Sequence, residues 1–171
     1  MDGVNVSTHE PVAPGVAAEP VFLEQTVSLA TANVAAGGGP FAALVVVDGI
    51  VVASGVNRVT ATNDPTAHAE VVAIRRACAE LSTFALLGAV LYSSCEPCPM
   101  CLAASMWARV DGVFFAADRH DAARGGFDDR AFYDLLAAPR ETWPRPVAAV
   151  PTRGATAPFE AWRDHGARIE Y

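Results

Sequence analysis

Hydrophobic residues near the start of the chain recur at the spacing of one helix face. The residues at this spacing are Leu23, Val27, Ala30 and Val34. Pro20 suits the first position of a helix, and the three consecutive glycines at 37–39 would end it. The pattern therefore predicts a helix that begins at Pro20.

Two apolar runs of β-forming residues follow this helix. They cover residues 41–47 and 50–56, and Asp48-Gly49 between them is typical of a hairpin turn. The two strands are therefore predicted to pair antiparallel, and their apolar character indicates a sheet covered on both faces. Three further strands are predicted at residues 89–93, 113–117 and 147–150.

Proline and acidic residues mark the later helices. Asp64-Pro65 resembles an N-cap followed by proline at the first helical position, and Pro99 begins a helix that runs to about residue 109. The first of these helices would carry one apolar stripe, formed by Val71, Ile74, Cys78 and Leu81. On this stripe Cys78 is predicted to be a small buried hydrophobe. For Met106 and Trp107, on the second helix, burial in the core is the default prediction.

Two shorter helices are predicted near the C-terminus. One follows Asp128-Asp129, and the other begins at Thr156-Ala157-Pro158. The first of them would turn three apolar residues inward, namely Phe132, Leu135 and Leu136. Strands three to five are separated by helices, which favours parallel pairing. The predicted fold class is α/β, a three-layer α/β/α sandwich with a mixed five-stranded sheet.

Length and charge narrow the class of protein further. The chain has 171 residues and a net charge of −7. Residues 1–19 show no periodicity and are predicted to be a disordered tail, and residues 20–171 are predicted to be a single domain. The negative charge disfavours nucleic acid as a partner, and no apolar stretch is long enough for a membrane span. Three of the four cysteines fall within seven residues, which favours a metal site in a reducing, cytoplasmic compartment over disulfides.

Candidate chemistry is concentrated in His68-Ala69-Glu70 and in Pro97-Cys98-Pro99-Met100-Cys101. One imidazole and two thiols suit a tetrahedral zinc ion whose fourth position holds a water. Zinc lowers the pKa of such a water towards neutrality, and Glu70 is close enough to shuttle its proton. The pattern H-x-E followed by P-C-x-x-C is typical of zinc nucleobase deaminases. The predicted metal ligands are therefore His68, Cys98 and Cys101, and the predicted cofactor is Zn²⁺.

Two non-catalytic alternatives involve Cys95. Together with Cys98 and Cys101 it forms a C-x-x-C-x-x-C run, the first three cysteines of a bacterial iron–sulfur pattern. The fourth cysteine of that pattern, which proline follows, is absent, because position 105 is Ser105. Cys95 could also complete a closed structural zinc site. Both alternatives rank below the deaminase.

Beyond the shared motif, the chain from Val21 to Tyr171 resembles the bacterial guanine deaminases of the cytidine-deaminase superfamily. Four stretches carry this resemblance: Gly38-Gly39-Pro40-Phe41, Asn57 with Asn63-Asp64-Pro65-Thr66-Ala67-His68-Ala69-Glu70, Gly126-Phe127-Asp128-Asp129, and Ala161-Trp162-Arg163 with the final Glu170-Tyr171. The chain departs from the family at Ala42, where a glycine is usual, and in its N-terminal tail.

The resemblance implies hydrolytic deamination of guanine to xanthine and ammonia, with Glu70 as proton shuttle. It implies that Asn57 hydrogen-bonds the purine, that Phe41 stacks on it, and that Ala69 and Trp107 line the pocket. Asp129 would accept hydrogen bonds from the guanine N1–H and amino edge and assist proton transfer, a task that Asp128 could take instead. In the family the C-terminal segment is exchanged in a homodimer, so Tyr171 would close the partner's site.

Rival substrates share the same chemistry. They are another purine, a nucleoside such as guanosine or adenosine, and the wobble adenosine of transfer RNA. The acidic net charge disfavours transfer RNA, and an inserted Tyr171 would leave no room for a ribose.

Overall fold

The computed structural model describes residues 16–170, which divide into two compact units at Asp118. The first unit contains eight elements: α1 (Pro20–Ala35), β1 (Ala42–Val47), β2 (Ile50–Val56), α2 (Val59–Thr62), α3 (Ala69–Glu80), β3 (Ala89–Cys95), α4 (Pro99–Trp107) and β4 (Gly112–Ala117). The second unit, described by itself, contains α5 (Arg119–Arg124), α6 (Arg130–Ala137), a short 3-10 helix (Arg140–Thr142) and α7 (Ala157–Asp164). None of the described helices is both long and apolar enough to cross a bilayer.

The sheet of the first unit has the strand order β2-β1-β3-β4. Strand β1 pairs antiparallel with β2 and with β3, while β3 and β4 are parallel. The register between β1 and β2 shifts after Val45, where a bulge bends the hairpin. The predicted antiparallel hairpin, the mixed sheet and the parallel pairing of the third and fourth strands are therefore confirmed.

Apolar side chains of β1 point alternately to two cores. Ala43 and Val45 pack with Ala73 and Ala77 of α3 on one face, while Leu44 and Val46 pack with Phe22 of α1 on the other. Helices thus cover both faces of the sheet, which gives the predicted three layers. Because β1 is buried on both faces, its sequence is a continuous apolar run.

The predicted fifth strand at residues 147–150 is wrong, since the sheet among the described residues has four strands. Pro146 and Pro151 bracket this segment, and proline cannot donate a hydrogen bond to a neighbouring strand. Val147 and Val150 are exposed in the chain. A run of four apolar residues, of which only the two valines favour a strand, was therefore too weak a signal to indicate pairing.

The predicted helix start at Asp64 is also wrong, because α3 begins five residues later at Ala69. The Asp64 carboxylate accepts hydrogen bonds from the backbone N–H of Thr66 (2.8 Å) and from its hydroxyl (2.7 Å). This closes a local turn in place of a helix cap. The short helix α2 lies between the end of β2 and this turn.

Helix α6 follows Asp129 as predicted, but two of its three supposedly inward residues are not buried. Phe132 and Leu136 are exposed, and Leu135 is half-buried. The pattern identified an amphipathic helix correctly, yet amphipathicity alone does not say what covers the apolar face.

Candidate metal centre

Two helices of the first unit begin at the candidate metal ligands. His68 is the N-cap residue of α3 and Cys98 is the N-cap residue of α4, both with extended backbone angles. Cys101 lies in the first turn of α4, whose first residue is Pro99 as predicted. The positive ends of both helix dipoles therefore meet at one place, which favours anionic groups there.

The three ligand atoms form a nearly equilateral triangle. The His68 Nδ1 atom lies 3.6 Å from the Cys98 Sγ atom and 3.5 Å from the Cys101 Sγ atom, and the two sulfurs are 3.6 Å apart. A tetrahedron built on ordinary Zn–N and Zn–S bond lengths has edges of about 3.6–3.8 Å. The triangle therefore matches one face of a zinc tetrahedron. Within residues 16–170 three protein ligands meet here, which would leave the fourth corner for water or substrate.

Glu70 lies beside this triangle without belonging to it. It is 5% exposed, and its Oε2 atom is 3.4 Å from the Cys101 Sγ atom. Its Oε1 atom accepts a 3.0 Å hydrogen bond from the hydroxyl of buried Ser93 on β3. The carboxylate is thus held on both oxygens, close to the metal position.

Burial and hydrogen bonding set the charge states of these groups. Burial raises the pKa of the Glu70 carboxyl, against the opposing effect of its hydrogen bonds with Cys101 and Ser93. A hydrogen bond joins the Cys98 and Cys101 thiols, and this bond, aided by His68, lowers the pKa of Cys98 to about 4. The same bond, with burial, raises the pKa of Cys101. The thiolate form, which is the form that binds a metal ion, is therefore favoured at Cys98.

Gly55 of β2 explains how α3 comes so close to the sheet. A Cβ atom at this position would lie 2.2 Å from the Ala69 carbonyl oxygen and 2.5 Å from the Ala73 amide nitrogen. Only glycine allows this approach, which fixes the helix turn that carries Glu70 and follows His68. The sequence signal was available, since a glycine inside a strand often marks a close backbone contact.

A second group of predicted site residues comes together at the start of β1. The backbone N–H of Asn57 donates to the carbonyl of Phe41 (3.0 Å), and the Asn57 Oδ1 atom accepts from the N–H of Val59 (3.3 Å). Ala69, buried in the first turn of α3, lies between His68 and Glu70. Asn57, Phe41 and Ala69 therefore belong to the same unit as the metal ligands.

Cys95 does not join the metal ligands. Its thiol donates to the carbonyl of Asp118 (3.7 Å), and the metal-binding group found within residues 16–170 consists of His68, Cys98 and Cys101. The alternatives that needed Cys95 as a ligand, a closed zinc site and an iron–sulfur cluster, are therefore not supported. Cys78, predicted to be a small buried hydrophobe, is half-buried on α3, and burial raises the pKa of its thiol.

The other predicted site residues are Trp107, Asp129 and Tyr171. Trp107 ends α4, nine residues from Cys98, which corresponds to about 13 Å along a helix. Met106 and Trp107 are 74% and 66% exposed, so the default prediction of burial is wrong for both. Asp129 is the N-cap residue of α6 in the second unit. Tyr171 lies outside the described residues.

Sequence reasoning missed Ser93 and Gly55. Ser93 gave no signal, because a serine in a strand is unremarkable until its partner across the core is known.

Comparison with known proteins agrees with the geometry of the site. Residues 18–117 match the family described as the cytidine and deoxycytidylate deaminase zinc-binding region. The guanine deaminase of Bacillus subtilis (strain 168) is 50% identical over 151 residues, which cover 88% of this chain and 97% of that protein. A tRNA-specific adenosine deaminase of Agrobacterium fabrum is 46% identical over 78 residues, which cover 46% of this chain and 51% of that protein.

The likeness extends to three dimensions. The X-ray structure of guanine deaminase from Bacillus subtilis matches this chain with a TM-score of 0.87 and 48% identity, over 91% of this chain and 99% of that one. The matched family region contains all three metal ligands and Glu70. The donor set, the triangle of ligand atoms and the family therefore agree on zinc as the cofactor. The chain belongs to the zinc-dependent deaminases of the cytidine and deoxycytidylate deaminase family.

Proposed function

We propose that this protein deaminates guanine hydrolytically, converting guanine and water to xanthine and ammonia. The observation that carries this proposal is the three-ligand triangle with the buried Glu70 carboxylate 3.4 Å from one of its sulfurs. A relative named guanine deaminase, similar over 88% of this chain, supports the choice of substrate.

His68, Cys98 and Cys101 would hold the zinc ion, which when bound would supply the Lewis acidity that makes water a nucleophile near neutral pH. Glu70 accepts a proton from the attacking water and passes it to a ring nitrogen, so that the amine-bearing carbon becomes electrophilic. Glu70 then takes the second proton from the newly added hydroxyl group and delivers it to the departing amine, because an amide ion cannot leave, and the hydroxyl oxygen becomes the carbonyl of xanthine. The raised pKa of Glu70 suits a group that must both accept and donate a proton.

In this proposal several side chains recognise guanine. Asn57 hydrogen-bonds the purine, Phe41 stacks on it, and Ala69 and Trp107 line the pocket. Asp129 accepts hydrogen bonds from the N1–H and amino edge and assists proton transfer, a role that needs an acceptor-only group. The neighbouring Asp128 is engaged by Arg130, which donates from Nε (2.7 Å) and Nη2 (2.6 Å) and lowers the pKa of Asp128 to about 2.

We further propose that the enzyme is a cytoplasmic homodimer in which Tyr171 closes the partner's site. Three thiols grouped within residues 95–101 suit a reducing compartment. Removal of Glu170 and Tyr171 should depress guanine turnover while leaving zinc content and thermal unfolding unchanged. Unchanged kinetics after this truncation would contradict the closing role.

The principal test combines a substrate panel with Glu70→Gln. The panel measures ammonia release from guanine, guanosine, adenine, cytosine and an adenosine-containing tRNA anticodon stem, and so separates guanine deamination from its rivals. The tRNA substrate is included because of the similarity to a tRNA-specific adenosine deaminase. Glu70→Gln should bind zinc with parental stoichiometry and lose turnover, because a carboxamide cannot accept the proton. A variant that deaminates guanine near the parental rate would show that Glu70 is not the shuttle.

A further inference from the structure

Two backbone segments present the proposed purine-binding residues. One is the glycine-rich stretch 37–41, which ends at Phe41, and the other is the residue that follows β2, Asn57. The backbone hydrogen bond from the Asn57 N–H to the Phe41 carbonyl continues the β1–β2 ladder, in which Ala42 pairs with Val56. Residues 37–40 lie beyond this ladder, so their position relative to Asn57 needs a further connection.

Asn33, in the last turn of α1, supplies that connection. Its side-chain Nδ2 atom donates to the carbonyl of Gly39 (2.8 Å) and to the carbonyl of Asn57 (3.1 Å). Both acceptors are backbone carbonyls, so only the NH₂ end of the carboxamide fits this position. The backbone carbonyl of Asn33 accepts a hydrogen bond from the backbone N–H of Gly38 (2.8 Å). One half-buried residue therefore ties the helix end to both segments.

Two glycines of this stretch leave the space that the Asn33 and Asn57 side chains occupy. A Cβ atom on Gly38 would lie 2.4 Å from the Asn33 Nδ2 atom, and a Cβ atom on Gly39 would lie 3.1 Å from the Asn57 Cγ atom. Contacts this short cannot be accommodated without moving a side chain. The absence of side chains at 38 and 39 is thus what lets Asn33 and Asn57 take their positions.

We infer that Asn33 is a positioning residue for substrate recognition, which sets Phe41 and Asn57 at the distance that a purine ring requires. The inference rests on the proposed function, since it assigns Asn33 a task in the same site. The side-chain hydrogen bonds of Asn33 go to the backbone carbonyls of Gly39 and Asn57, whereas the metal ligands and Glu70 are positioned by α3, α4 and β3. Its loss should therefore weaken substrate binding without removing the metal.

The test is steady-state kinetics of guanine deamination for zinc-loaded Asn33→Ala, with zinc content and thermal unfolding measured on the same sample. Losing two ordinary hydrogen bonds should raise KM about tenfold, with kcat within about threefold of the parent and zinc unchanged. Thr31→Val is the matched control, because it removes one side-chain bond of the same helix, to the Val27 carbonyl (2.9 Å), away from both segments. It should leave KM at the parental value.

A double-mutant cycle separates positioning from a general loss of stability. Gly38→Ala displaces the Asn33 side chain without deleting it, so it should raise KM in the same way. In Gly38→Ala/Asn33→Ala the added methyl has nothing to displace, and KM should match that of Asn33→Ala within about twofold. Additive effects in the double variant, unchanged KM in both single variants, or a loss of zinc in step with kcat would each overturn the inference.

Failure of the inference can be told apart from failure of the proposed function. A parent enzyme that releases no ammonia from guanine refutes both. An active parent whose KM is indifferent to Asn33→Ala and Gly38→Ala refutes the positioning role alone.

Discussion

The substitution Gly55→Ala tests whether the close approach of α3 to β2 assembles the metal site. The added methyl carbon would lie 2.2 Å from the Ala69 carbonyl oxygen and 2.5 Å from the Ala73 amide nitrogen, where ordinary contacts begin near 3.4 Å. Both atoms belong to helix backbone, so no side chain can turn aside. The first turns of α3 must therefore move away from the sheet by about 1 Å.

This displacement has two consequences of different size. Forcing a methyl into a packed interior costs about 1–3 kcal/mol of folding stability, or roughly 2–4 °C in Tm for each kcal/mol in a chain of this size. The same shift separates His68 and Glu70 from the two cysteines, which lie on α4. A misplacement of about 1 Å in a catalytic site reduces rates by roughly a hundredfold. We expect activity and zinc affinity to fall further than stability does.

The assay measures zinc per chain, Tm and ammonia release from guanine on one preparation. Gly166→Ala is the control, because no described heavy atom lies within 4 Å of its added Cβ and its backbone angles suit alanine. That variant should leave Tm unchanged or raise it slightly, because alanine reduces the conformational entropy of the unfolded chain. If Gly55→Ala keeps one zinc per chain, the parental Tm and the parental kcat, the close approach does not build the site.

Two further predictions concern the surroundings of Glu70. Ser93→Ala removes the donor to the Glu70 Oε1 atom and should lower kcat about ten- to hundredfold with little change in KM. Ser93→Thr retains a hydroxyl and is the control. Equal kinetics of the two variants would contradict the positioning of Glu70 by this bond. In chelator-treated protein, Glu70→Gln should raise Tm at neutral pH. The folded carboxyl keeps its proton to higher pH than the unfolded one, so the parent loses stability as pH rises above 4.5, and the gain from glutamine should vanish below that pH. A gain that persists at pH 3 would point to packing in place of charge.

The metal ligands and most of the first unit could be predicted because their signals are local. Strand β2 was predicted with its observed bounds, and Pro20 and Pro99 identified the starts of α1 and α4. A proline at the first helical turn restricts only its own backbone, so it indicates a helix start without knowledge of the rest of the fold. The ligand spacing works in the same way, since H-x-E and C-x-x-C each lie within one turn.

What could not be predicted depends on contacts between distant segments. Asp64 has the sequence of a helix cap, yet it closes a turn with Thr66, because the chain must still reach His68 before α3 begins. Ser93 and Glu70 are separated by 23 residues, and Asn33 and Asn57 by 24. Such pairs are defined only when the sheet brings α1, β3 and α3 together. The second unit was predicted less well, because the apolar pattern of a helix does not indicate whether another surface covers its apolar face.

At the starts of α3 and α4, metal ligands occupy positions where a capping residue would stabilise the helix. N-cap positions usually hold serine, threonine, aspartate or asparagine, whose side chains accept hydrogen bonds from the first turn, worth about 0.5–2 kcal/mol each. Here the N-cap residues are His68 and Cys98, and neither side chain makes a capping hydrogen bond. Both are instead directed to one point, where a cation can bind them. The metal thus takes over part of the role of the caps, so binding zinc and holding α3 and α4 in register are one event. Metal ligands at helix starts have fixed geometry and lie at the favourable end of two helix dipoles. The cost is that each helix begins without a side-chain cap when no metal is bound.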